Sequence, residues 1–192
     1  MEFSIKSSSP EKAQNSCIVV GIFFFVRLTP QAEAVDRKNG KLIERLIAQG
    51  DFTGKSGASL LLHATSGAKS GSADNASYQR ILLVGLGNEK EFCEKTYCAT
   101  IRGAVRALRE TGAEEAYLTL TALPVRRRSA AWRIRQAAIA AHEVTYRFER
   151  FKSKPAEQPS SLRKLTLTVD GAKNTDAANA AAQAALAEGL AI

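Results

Sequence analysis

Two apolar runs constrain this chain more than any other feature. Cys17-Ile-Val-Val-Gly-Ile-Phe-Phe24 is apolar throughout, and Arg80-Ile-Leu-Leu-Val-Gly-Leu-Gly87 carries four consecutive aliphatic side chains. A strand with one face in water alternates apolar and polar residues, whereas a strand apolar at every position needs cover on both faces. Neither run approaches the ~20 residues that cross a bilayer, so no membrane partner is expected and both runs read as central strands of a covered sheet.

The segments between them supply the cover. A helix-compatible stretch from Pro30 leads to Leu42, Ile43, Leu46 and Ile47, which share one helical face, with Gly50 placed to end that helix. From Glu94 to Thr111 the pattern is again helical, with Ile101, Val105 and Leu108 facing inward and Gly112 as the cap. Ser129 can cap a helix in which Ile134, Ala137, Ala138, Ala141, Val144 and Phe148 recur. Strands are expected at Phe3 and Ile5, over Ser59–Ala64, over Ala116–Thr121 and over Lys164–Val169, and an alanine-rich helix opens at Thr175 or Asp176. Strands interleaved with helices predict an α/β fold: a mixed, mostly parallel sheet flanked by helices in three layers. The stretch from Ser66 to Ser77 is rich in Gly and Ser and reads as a flexible surface loop.

The net charge of +8 is concentrated: residues 102–152 contribute +6 of it. Arg102, Arg106 and Arg109 fall at i, i+4 and i+7 and line one helical stripe beside the buried face. Arg126, Arg127 and Arg128 form a triplet in a turn, and Arg133 and Arg135 begin the next helix. Guanidinium forks suit phosphate oxygens, so these eight residues are the candidate nucleic-acid surface, against the alternative of an ordinary solvated face. Trp132 is either a base-stacking platform or a packed anchor. Gly85 and Gly87, between a strand and a helix, are a weaker ligand candidate, because exposed backbone N–H groups there can meet a phosphate. Lys90 replaces the third glycine of a dinucleotide fingerprint, and Glu89 and Glu91 would repel an anion.

Other chemistry is missing. His63 and His142 stand alone, without ligand partners at zinc spacing, so no cofactor is expected in this chain. Cys17, Cys93 and Cys98 form no regular framework and read as structural thiols. No nucleophile elbow, His-Glu-x-x-His pair or phosphate-binding P-loop occurs. The start Met1-Glu-Phe-Ser-Ile-Lys6 lacks the pattern of a secretory signal, which makes the cytoplasm the expected compartment.

Taken in order, the strand closed by Gly85-Leu86-Gly87, the helix after it, Trp132-Arg-Ile-Arg-Gln136 and Tyr146-Arg-Phe-Glu-Arg-Phe-Lys-Ser-Lys-Pro155 resemble the amino-terminal domain of the leucyl (cytosol) aminopeptidase family. The resemblance implies a macro-domain-like fold over residues 1–170, with 171–192 starting a helical connection to a catalytic domain outside this chain. It implies a parent that releases amino-terminal residues, leucine above all, from peptides, using two divalent metals (Mn or Zn) held in that other domain. It implies partners too: the carboxy-terminal catalytic domain, a homo-oligomer (a hexamer) and, as in some bacterial members, duplex DNA. The family's Asn-Thr-Asp-Ala-Glu-Gly-Arg-Leu motif does not occur here, so no catalytic or metal-binding residue is assigned and this chain alone is expected to be inactive. The roles left open are assembly, DNA binding through the arginines, and a macro-type small-ligand (nucleotide) module. The Phe23-Phe24-Phe25 run, the arginine triplet and loop 66–77 lie outside the family pattern.

Overall fold

The computed structural model describes residues 1–6, 17–25, 27–63, 78–145, 161–169 and 176–191, with the side chains of the last helix from Gln183 onward. The Gly/Ser loop and the Tyr146–Pro155 segment lie outside these residues. Seven strands form one sheet: β1 (Glu2–Lys6), β2 (Cys17–Phe23), β3 (Arg27–Leu28), β4 (Ser59–His63), β5 (Arg80–Gly87), β6 (Glu115–Leu118) and β7 (Lys164–Thr168). Their order is β1-β7-β6-β2-β5-β4, with β3 paired to β2. Every pairing from β1 across to β5 is parallel, and β4 joins β5 antiparallel at the edge. The mixed, mostly parallel sheet expected from the apolar runs is what forms.

β2 is central, and all seven of its residues are buried. Side chains alternate across a strand, so Cys17, Val19 and Phe23 join one core with Leu82, Val84 and Leu86, while Ile18, Val20 and Ile22 join another with Ile81 and Leu83. The first core is covered by α3 (Glu94–Glu110), α4 (Ala130–Thr145) and α5 (Asp176–Leu190), and the second by α1 (Pro30–Lys38) and α2 (Leu42–Ala48). Three layers result.

Several boundaries differ from expectation, each for a local reason. The helix expected from Pro30 to Ile47 is two helices, broken where Gly40 and Lys41 take left-handed φ values of 62° and 59°. Buried polar groups hold the break: the Asp36 carboxylate accepts the Ile43 N–H at 2.6 Å, and the Asn39 amide donates to the Val35 carbonyl and the Tyr78 hydroxyl. α3 ends on Thr111 rather than Gly112, because the Thr111 N–H and hydroxyl both donate to the Leu108 carbonyl. β6 stops at Leu118 and a 3-10 turn takes Thr119–Ala122. There the Thr119 hydroxyl donates to the Val19 carbonyl and that of Thr121 to the Thr168 carbonyl, both at 2.7 Å. Threonine offers the backbone such alternatives to a regular ladder.

The alanine-rich α5 has no strong apolar stripe and is seated on α4 by small residues instead. Ala185 is buried. A Cβ at Gly189 would stand 2.7 Å from the Arg135 carbonyl oxygen and 3.0 Å from the Ala138 Cβ, so the helices meet with backbone against backbone.

Candidate functional site

At the end of β5 the glycines serve the chain itself. The Gly85 N–H donates to the Ala58 carbonyl at 2.8 Å and the Gly87 N–H to the Gly54 carbonyl at 3.0 Å, while the Gly87 carbonyl accepts from Phe24. A Cβ at Gly85 would lie 1.9 Å from the Lys55 carbonyl oxygen. Gly87 has φ +74°, where side chains are strained. The donors a phosphate would need are thus engaged by residues 54–58, and Glu89, paired with Arg27 at 2.6 Å, adds negative charge nearby. Gly85 and Gly87 are placed as a close-packed turn. The sequence carried no signal for the segment that closes on them beyond Gly54 and Gly57.

The arginines are dispersed among intramolecular partners. Arg102 pairs with Glu143 at 2.8 Å, and Arg109 donates to the Val144 carbonyl, so both brace α3 against α4. Arg128 pairs with Glu94 at 2.6 Å and Arg135 with Glu188 at 3.3 Å. The hydrogen bonds to Glu143 and Glu94 hold the protons of Arg102 and Arg128 more firmly than an isolated guanidinium holds its own.

Arg133 departs from the expected surface altogether. It is 8% exposed, donates to the Leu123 carbonyl at 2.9 Å, and its own carbonyl accepts the Tyr97 hydroxyl at 2.8 Å. Burial pushes the Tyr97 phenol above its usual range, which keeps it a donor. Arg106, Arg126 and Arg127 are the exposed remainder, and among the described residues none of the three has an ion-pair partner. α3 and α4 run side by side from their paired starts, so Arg106 lies ~18 Å along α3 from Glu94, the partner of Arg128.

Trp132 is half-buried, with the Tyr97 ring 5.9 Å away on one side and the Arg128 guanidinium 5.1 Å from its centroid. It is a packed anchor whose remaining edge reaches solvent. Sequence reasoning missed the acidic partners Glu94, Glu143 and Glu188, because separations of 34 to 53 residues leave no local signature. The Phe23-Phe24-Phe25 run stood out in the sequence, but not the state of Phe25, which is 82% exposed with a φ of 61° and lies against Phe24 at 4.4 Å between ring centroids.

Among the described residues no three His, Cys, Asp or Glu side chains gather as metal ligands. No described helix is long and apolar enough to cross a membrane.

Comparison with known proteins places this arrangement. The model of the cytosol aminopeptidase family, N-terminal domain, matches residues 19–155. The probable cytosol aminopeptidase of Dechloromonas aromatica is 48% identical over all of this chain and 36% of its own length, and that of Nitrosospira multiformis is 40% identical over all of this chain and 35% of its own. The chain therefore spans about a third of the relatives it matches. A tomato leucine aminopeptidase mutant superposes with a TM-score of 0.68 at 20% identity, covering 96% of this chain and 35% of that one. The macro domain of ganglioside induced differentiation associated protein 2 superposes at 0.66 and 11% identity, covering 98% and 84%. At these identities the likeness is one of fold, and the fold is macro-domain-like.

Proposed function

The chain belongs to the cytosol aminopeptidase family as its amino-terminal domain, and from that membership we propose that it is a non-catalytic assembly module of a cytoplasmic, metal-dependent aminopeptidase. The parent would release amino-terminal residues from peptides with two divalent metals held outside this chain. Residues 171–192 would lead toward that catalytic portion, and the modules would meet within a homo-oligomer. Phe25 carries the reading. A large aromatic 82% exposed, in a backbone conformation that strains any side chain, is a local cost that a covering surface can offset. Most of the relatives' length lies outside this chain, and that portion, in a neighbouring copy of the full-length protein, is the occupant proposed for the Phe24–Phe25 tip. In the full-length protein, Phe25→Ser should loosen the assembly measured by light scattering while leaving the fold of this domain unchanged. An intact oligomer of unaltered stability would refute the role given to Phe25.

The exposed Arg106, Arg126 and Arg127 favour a second reading, contact with duplex DNA. Their spread along the surface suits backbone tracking rather than a single pocket. Fluorescence anisotropy over a salt series should show binding that weakens with salt and disappears in an Arg106/Arg126/Arg127→Glu variant. Equal binding by both proteins, or none at low salt, would remove this reading. Arg102 and Arg109 are unsuitable for the test, because changing them disturbs the α3–α4 contact.

A further inference from the structure

A groove of about 410 Å³ opens between the start of α4 and the end of α5. Its charged lining is Arg127, Arg128 and Arg135 with Glu188, which pairs with Arg135, and its apolar lining is Trp132, Ala131 and Ala185. The volume lies in the range of small-molecule sites. Three ligand classes can be tested against this lining. A nucleobase stacked on Trp132 would compete with the Arg128 guanidinium, which already lies 5.1 Å from the ring centroid. A phosphate dianion would meet Arg127 but also the Glu188 carboxylate, with Arg128 already paired to Glu94. A cation would meet three guanidiniums. A ligand carrying both signs fits each part.

We propose that this groove binds a zwitterion with an apolar side chain, a free α-amino acid or short peptide of the leucine class. Its carboxylate lies against Arg127 and Arg135, its ammonium against Glu188, and its side chain on Trp132, Ala131 and Ala185. The Arg135–Glu188 pair spans 3.3 Å with side chains 41% and 64% exposed. An exposed pair of this kind contributes little, so a ligand that satisfies both ends can replace it. The helix ends act in the same sense: the start of α4 is the positive end of its dipole, and the end of α5 the negative end of its own. The site stands on the groove alone and does not depend on the peptidase reading, although peptides and free amino acids are what an aminopeptidase handles.

Trp132 is the single tryptophan of the chain, so its fluorescence reports on the groove directly. The chain is titrated with L-leucine, leucyl-leucine, N-acetyl-leucine, leucinamide and inorganic phosphate. Leucine and leucyl-leucine should give a saturable change, and the two blocked compounds and phosphate should not. Glu188→Gln and Arg135→Gln, both at exposed side chains, should each weaken leucine binding about tenfold, the loss of one charge-assisted hydrogen bond, with circular dichroism unchanged. Binding of phosphate or N-acetyl-leucine as tight as that of leucine would overturn the zwitterion site and leave an anion site only. No saturable response to leucine, or full binding by both variants, would overturn it outright. Peptidase activity of the full-length protein is a separate measurement, so failure of either reading leaves the other standing.

Discussion

The end of β5 and the start of α4 are both places where a strand, a turn and a helix bring backbone donors toward the surface, yet only one of them is open. At β5 the chain folds back on itself, and the carbonyls of Gly54 and Ala58 take the N–H groups of Gly87 and Gly85. At α4 the Ser129 hydroxyl accepts the Trp132 N–H, and Arg127 and Arg128 stand beside a groove. Glycine permits so close an approach that the backbone becomes its own ligand. Arginine, by its length, keeps the chain apart and leaves room for something else. A glycine turn is therefore weak support for a ligand wherever another segment of the same chain can reach it.

Substituting the glycines tests this contrast. Gly85→Ala should have the largest effect, because its Cβ would stand 1.9 Å from the Lys55 carbonyl oxygen and neither backbone can yield cheaply. A loss of about 3 kcal/mol is expected in urea unfolding, at the upper end for overpacking. Unchanged stability would mean that the turn is loose enough to admit a ligand after all. Gly189→Ala acts on the open side. Its Cβ would press on the Arg135 carbonyl and Ala138, so α5 should shift, at a cost of about 1–2 kcal/mol and with a changed Trp132 emission. An unaltered emission would show that α5 does not set the groove's far wall.

Two thiols sharpen the comparison between sealed and open regions. Burial in the sealed core pushes Cys17 up to about 12 from an ordinary 9.0, partly offset by Arg80 and by the Leu82 backbone. Above pH 9.0 the unfolded thiol ionises while the folded one stays protonated. The native state then binds more protons, and stability falls as pH rises toward 12. The unfolding free energies of wild type and Cys17→Ala should converge over that window, by at most about 1.4 kcal/mol per pH unit. A constant difference would show that Cys17 is solvated in the fold.

Cys93 is at the open side, in the residue before Glu94. Hydrogen bonds from the Thr96 N–H and hydroxyl draw its pKa below the ordinary value, whereas burial raises that of Cys98. Iodoacetamide should label Cys93 first, Cys98 more slowly and Cys17 only on unfolding, as followed by mass spectrometry. Faster labelling of Cys98 would reverse the assigned exposures.

Most of the order of elements, the doubly covered strands and the family were legible along the chain, since apolar periodicity is a local property that burial merely satisfies; the short β3 and the break between α1 and α2 were not. Cys17–Phe23 and Arg80–Gly87 could be central strands and little else. Tertiary structure alone decided where the charges and close contacts went. Arg133 is drawn inward by a carbonyl ten residues before it and by the packing of Tyr97, while Arg102, Arg128 and Arg135 are matched by carboxylates 34 to 53 residues away. Helical spacing sets the direction in which a side chain leaves its helix. What it meets depends on how the neighbouring layers pack, and that arises only when the sheet is assembled.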